Sequence, residues 1–242
     1  MGRRGRSIFG NQGNTFFITT TVVNFDPILS CGDTYYLILI DSLRHVLEEH
    51  HATLFAYVLM PSHVHFIIAM PEGESISDLM RDFKKFTSTK IRQQLEKDNQ
   101  TSWILKLKAN AATSKEQVFK LWMDRFDDVV IFSEKVLRQK IEYIHYNPVK
   151  AGLVEKPEDW KYSSARNYIL DDHSLIYVAT DSELVSGIPQ SGTDTTVKPV
   201  MSGLSPAQVS ITPRQAKAKG KNKTSPIIVT QRFIGYPPEW FV

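Results

Sequence analysis

Cysteine is almost missing from this chain. The 242 residues hold one, Cys31, which excludes an internal disulfide and any zinc site built on several thiolates. Long hydrophobic runs are missing too. The longest unbroken apolar stretch is seven residues, Leu54 to Met60, far short of the ~20 that a membrane-spanning helix needs. Met1 to Arg6 is basic, but no apolar segment follows it, so no secretory leader is expected. An N-myristoylation pattern fails as well, because Arg6 stands where Ser or Thr is required. A reducing cytoplasm is the expected compartment. Most of the chain also lacks a charge excess of either sign: residues 1–180 carry 22 Lys+Arg against 22 Asp+Glu, and residues 181–242 carry 7 against 4. The whole formal charge of +3 therefore belongs to the C-terminal segment.

What is present reads as one sizeable domain with an appendage. The chain is 42% hydrophobic and 23% charged, enough for an ordinary core and too apolar for disorder throughout. Thr15 to Asn24 is rich in β-branched and aromatic residues, as strands are. Asp33 to about His51 spaces Tyr36, Leu37, Ile40, Leu43, Val46 and Leu47 along one helical face, with Asp33 as its expected N-cap. Leu54–Met60 and Val64–Met70 are apolar runs split at Pro61 and Ser62, which predicts a hairpin. Ser75 to about Lys97 is an amphipathic helix whose Ser75 and Asp78 resemble a capping box. A strand is expected within Phe119–Phe132, and then a helix from Ser133 that should end near Asn147, because Pro148 follows. Ser102 to Lys115 gives no clear pattern. The order strand, helix, strand, strand, helix, strand is that of a split βαβ unit, so the expected class is α+β: a ferredoxin-like, RRM-like antiparallel sheet flanked by helices, with one further helix appended. From Asp181 onward the texture changes. Seven of the twelve prolines lie in the last 62 residues, so residues 1–180 are read as the domain and 181–242 as a partly flexible tail.

Two segments carry chemistry. In Pro61-Ser62-His63-Val64-His65-Phe66, a strand would turn both imidazoles to one face and Val64 and Phe66 to the other. Two imidazoles so placed can share a divalent ion; equally, they can be half-buried sheet residues without one. In Glu142-Tyr143-Ile144-His145-Tyr146-Asn147-Pro148, helical spacing puts Tyr143 and Asn147 on one face, one turn apart. Tyr146 is a rival phenol on a different face. Arg3, Arg4 and Arg6, a C-terminal cluster from Arg214 to Lys223, and Arg81, Lys84, Lys85 and Arg92 on the polar side of the 75–97 helix are basic groups suited either to DNA phosphates or simply to solvent.

Together the two segments resemble the single-tyrosine HUH transposases, in particular the REP-associated tyrosine transposases. His63-Val64-His65 matches the family's histidine–hydrophobic–histidine motif, within Tyr57-Val58-Leu59-Met60-Pro61-Ser62-His63-Val64-His65. Tyr143 to Val154, with Trp160, Tyr162, Ser163 and Ser164 beyond it, looks like the catalytic-helix region. The resemblance covers roughly residues 15–177. It implies a metal-dependent strand transferase acting on single-stranded or hairpin DNA, cytoplasmic and nucleoid-associated, with Mg²⁺ or Mn²⁺ as cofactor. By that resemblance Tyr143 is the nucleophile that forms a 5′-phosphotyrosine, and His63, His65 and Asn147 are the metal ligands. The insertion-sequence enzymes often carry Gln at the last of these positions. It also allows two assemblies: a homodimer that exchanges the catalytic helix, or a monomer with a C-terminal extension.

Two other readings compete. One is a domesticated protein that binds a DNA hairpin without cutting it. The other is a metal-dependent hydrolase built on His63 and His65, although no further acidic or histidine cluster has ligand-like spacing. An ordinary transcription factor is disfavoured by the lack of a clear helix-turn-helix or zinc-finger pattern.

Overall fold

The computed structural model describes residues 14–111 and 118–180; the basic arm at Arg3, Arg4 and Arg6 and the tail from Asp181 lie outside the described residues. Four strands, β1 (Thr15–Thr21), β2 (Thr53–Leu59), β3 (His63–Ala69) and β4 (Asp127–Val130), form one sheet in the order β2-β3-β1-β4. All three pairings are antiparallel. With α1 (Asp33–Glu49) between β1 and β2 and α2 (Ile76–Lys97) after β3, this is the ferredoxin-like arrangement expected from the sequence. The unpatterned stretch after residue 100 is α3 (Thr101–Ala111). Beyond β4 come α4 (Glu134–Lys150) and the short α5 (Ala165–Leu170). No described helix is long and apolar enough to cross a membrane.

Strand alternation splits the core into two halves. Ile18, Val64, Phe66 and Ile68 pack with α1 and α2, where Phe66 meets Phe83 edge to face at 5.3 Å. Phe17, Val58 and Ile67 point the other way and pack under Leu137, Ile141 and Ile144 of α4. The sheet is therefore covered on both sides. The face that carries His63 and His65 is the one that α4 covers.

The free edge of β2 is closed by chain that returns after α4. Leu59 donates to the Tyr162 carbonyl at 2.9 Å, Ser164 to the Tyr57 carbonyl at 2.9 Å, and Ala179 to the Leu54 carbonyl at 2.9 Å. The Trp160-to-Ser164 segment singled out in the sequence is thus an edge cover, which leaves no open row of backbone donors and acceptors there. Trp160 Nε1 donates to the Leu59 carbonyl at 3.0 Å, and Tyr162 stacks on Tyr36 of α1 at 4.2 Å between centroids.

Three local expectations change. Asp33 is the first helical residue of α1 rather than its cap, which is Gly32; its carboxylate bonds Lys161 at 2.8 Å. Ser75 caps α2 without a side-chain bond: the Asp78 N–H goes to the Ser75 carbonyl at 3.0 Å, and the Asp78 carboxylate pairs with Arg81. Helix α4 does not stop before Pro148 but runs through it to Lys150. The proline falls in the last turn, where its missing N–H costs a single ladder bond. What ends the helix is Gly152 at φ 69°: Leu153 donates to the Pro148 carbonyl and Gly152 to the Val149 carbonyl, the paired bonds of a Schellman motif.

Candidate active site

α4 starts cleanly, with the Ser133 hydroxyl accepting from the Val136 N–H. Its apolar stripe then seats it on the sheet. A buried lock fixes its position further along. His145 Nε2 lies 2.8 Å from Ser164 Oγ, and that hydroxyl also accepts from the Tyr57 N–H at 2.9 Å and donates to the Tyr57 carbonyl at 3.1 Å. One serine thereby ties α4 to β2. The Ser164→Ala protein is expected to lose roughly 2–4 kcal/mol of unfolding free energy, because two buried donors lose their acceptor. Urea denaturation measures it, and a loss below about 1 kcal/mol would show that the lock is dispensable.

Locked this way, α4 lays Tyr143 over the histidine face of its own chain. The Tyr143 ring meets the His65 ring at 5.3 Å and the Phe17 ring at 5.8 Å, both edge to face. His63 and His65 are 5.0 Å apart at their centroids, and Phe17 stacks on His65 at 5.5 Å. Asn147 is buried one turn beyond Tyr143 on α4. The rival Tyr146 is 45% exposed and lines a different cavity, of about 360 Å³, between α4 and α5.

Burial holds the imidazoles neutral. It pushes His63 and His145 down to about 4, and His65 well below its ordinary range, where His63 and the Lys140 ammonium add to the effect. A neutral imidazole has a lone pair to give a metal. His65 Nδ1 is engaged by Thr19 Oγ1 at 2.8 Å, while its Nε2 is buried with no hydrogen-bond partner among the described residues. That orphaned nitrogen is the expected signature of a ligand atom oriented from behind. Among the described residues no cluster of three or more His, Cys, Asp and Glu could hold a metal.

The same burial sets a pH dependence. In the unfolded chain these imidazoles titrate near 6.5, so between about 6.5 and 4 the unfolded state binds more protons. Stability is complete above that window and falls as the pH drops through it. His145 alone is expected to remove about 2 kcal/mol between pH 7 and pH 5 in the metal-free protein. Urea midpoints measured in chelator at the two pH values test this, and a flat midpoint refutes it.

The cationic ridge expected on α2 is placed elsewhere. α2 packs on the opposite side of the sheet from the histidines. Lys84 is half-buried, and its ammonium donates to the carbonyls of Met123 at 2.6 Å and Asp124 at 3.3 Å, with burial pushing it down to about 8. Arg81 pairs with Asp78 and Asp82, and Arg92 with Glu96 at 3.2 Å. Lys85 is exposed. Sequence reasoning missed Thr19 and Phe17, which only strand register brings beside the histidines, and Lys140, whose spacing from Tyr143 was a usable signal.

The IS200-like transposase family model matches residues 33–146, a span that contains both histidines and Tyr143. A Haemophilus influenzae protein assigned as a REP-associated tyrosine transposase is 28% identical over 153 residues, which are 63% of this chain and 80% of the relative. The REP-associated tyrosine transposase of Escherichia coli is 28% identical over 155 residues, 63% of this chain and 77% of that one. In fold, the chain is similar to a solved REP-associated tyrosine transposase bound to a REP hairpin, with a TM-score of 0.51 and 24% identity over 80% of this chain and all of the other. Residues 33–146 thus match the IS200-like transposase model, and the chain is similar in sequence to REP-associated tyrosine transposases.

Proposed function

We propose that this protein is a single-tyrosine strand transferase that cuts and rejoins single-stranded or hairpin DNA through Tyr143. The observation that carries this reading is the meeting, within one chain, of the Tyr143 phenol with the paired, neutral His63 and His65. A phenol with a pKa near 10 is a poor nucleophile at neutral pH, so the site must assist it. A divalent ion, Mg²⁺ or Mn²⁺, bound by His63, His65 and Asn147 would supply Lewis-acid polarisation of the scissile phosphate. Thr19 engages the His65 ring at Nδ1 and leaves Nε2 without a hydrogen-bond partner among the described residues, available to such an ion. The Tyr143 oxygen attacks the phosphorus as its proton passes to solvent. A bond forms from that oxygen to phosphorus, the bond to the 3′ oxygen breaks, and the departing strand takes up a proton to become a 3′-hydroxyl. The ester energy stays in the 5′-phosphotyrosine, so another 3′-hydroxyl can reverse the step and join strands without ATP.

Because α4 covers the histidines of its own chain, the reading is of a site completed in cis. A REP-type hairpin is the substrate class suggested by the relatives' names together with the REP hairpin bound to the solved structure of similar fold. The test is denaturing electrophoresis after incubating the protein and Mn²⁺ with a hairpin oligonucleotide labelled 3′ of the cut. A covalent protein–DNA band supports strand transfer. Tight binding without any such band selects the non-cutting hairpin binder instead.

A further inference from the structure

On α4 the residues Lys140, Tyr143, Asn147 and Lys150 recur at spacings of three, four and three, which puts them along one face. Lys140 is half-buried. Its Nζ stands 4.8 Å from the centroid of Phe17, the ring that also touches His65 and Tyr143. Ammonium, imidazole and phenol thus surround one aromatic side chain. Lys150 Nζ lies 5.5 Å from the Tyr143 ring centroid.

Among the described residues no carboxylate lies within 4.0 Å of Lys140 to form an ion pair, in contrast to Arg81, Arg92 and Lys161. Burial already works against its charge and lowers its pKa. Holding a partly desolvated ammonium there is costly, and one cation–π contact offsets only part of that cost. A structural lysine in this place would be expected to reach a carboxylate or swing into solvent. One that waits for an anion would sit as this one does. A DNA phosphodiester brought to Tyr143 delivers such an anion to this face, with charge spread over its non-bridging oxygens.

We infer that Lys140 is a catalytic residue that contacts a non-bridging oxygen of the phosphodiester at, or next to, the position that Tyr143 attacks. This rests on the DNA-handling role proposed above, and it adds a ligand-contacting group that neither the histidine pair nor the tyrosine segment identified. A lysine acts here as a point charge, so arginine should substitute for it in binding, whereas methionine, of similar length and uncharged, should not.

The experiment measures binding of a fluorescein-labelled hairpin oligonucleotide with a single-stranded 5′ extension, by anisotropy across a series of NaCl concentrations. Chelator is present, so that no cleavage occurs. Each phosphate neutralised on a single strand contributes about 0.7 to the slope of log K against log salt. Lys140→Met is expected to reduce the slope by about that amount and Lys140→Arg to restore it. An unchanged slope in the methionine variant overturns the inference, as does absence of binding by the wild-type chain. Thermal melts accompany the titrations, because a merely structural lysine would lower the melting temperature and leave the slope alone. If the methionine variant does not fold, reductive methylation of the wild type with mass-spectrometric readout replaces it. Lys140 should be protected by the oligonucleotide, and equal labelling with and without DNA overturns the inference. A slope change without any covalent band in Mn²⁺ overturns strand transfer but leaves this contact standing; an unchanged slope beside a strong covalent band does the reverse.

Discussion

Replacing Tyr143 by Phe is expected to remove the covalent protein–DNA adduct entirely while the protein still folds and binds hairpin DNA. The change deletes one oxygen and keeps the ring, so the edge-to-face contacts with His65 at 5.3 Å and Phe17 at 5.8 Å persist. Such contacts contribute about 0.5–1.5 kcal/mol each beyond their buried area, and α4 remains locked through His145 and Ser164. The melting temperature should therefore stay within a few degrees of wild type. Adduct yield should fall to background, because no other group in this position can form the ester. If an adduct persists, peptide mapping would have to place it on another residue. Tyr146, three residues on and 45% exposed, is the first to examine, and finding the DNA there would overturn the assignment of the nucleophile.

The second large effect is expected from His63→Ala. His63 is the first residue of β3 and belongs to neither apolar core cluster, so truncating it leaves the sheet core intact and should change stability by about 1 kcal/mol or less. His65 is a poorer probe. Its ring stacks on Phe17 and bonds Thr19, so removing it disturbs packing as well as any ligand. With one of two imidazoles gone, Mn²⁺ affinity should drop at least 100-fold, read by electron paramagnetic resonance titration of the free ion. Cleavage should slow by about 10³, equivalent to roughly 4 kcal/mol of transition-state stabilisation. Unaltered Mn²⁺ binding in this variant would remove His63 from the ligand set, whatever happens to activity.

Much of the site could be read before any coordinates. A strand's period of two places His63 and His65 on one face, and a helix's period of 3.6 puts Asn147 a turn beyond Tyr143; both relations hold in the fold. The order of elements was legible for the same reason, since each amphipathic pattern is set by residues a few positions apart. The end of α4 was misread because Pro148 is a loud local signal, whereas Gly152, which ends the helix, acts through a positive φ that the apolar pattern does not display. The basic side of α2 suits either phosphates or solvent by sequence, and no local pattern shows that Lys84 donates to carbonyls of a segment about forty residues away in sequence.

The sequence by itself determined which side chains could share a face, and thereby the pairing of two imidazoles and the presence of a phenol and an amide one turn apart. Only the tertiary structure decided that these two faces meet. Nothing local to residues 63–65 or 143–147 dictates that α4 lies on the histidine side of the sheet. That follows from Leu137, Ile141 and Ile144 needing apolar cover from Phe17, Val58 and Ile67, and from Ser164 joining His145 to the backbone of β2. The same long-range packing sets Thr19 against His65 through strand register and Lys140 over Phe17. Periodicity acts over one or two turns of chain. Burial acts across the whole sequence, and here it brings the Tyr143 ring to the paired imidazoles.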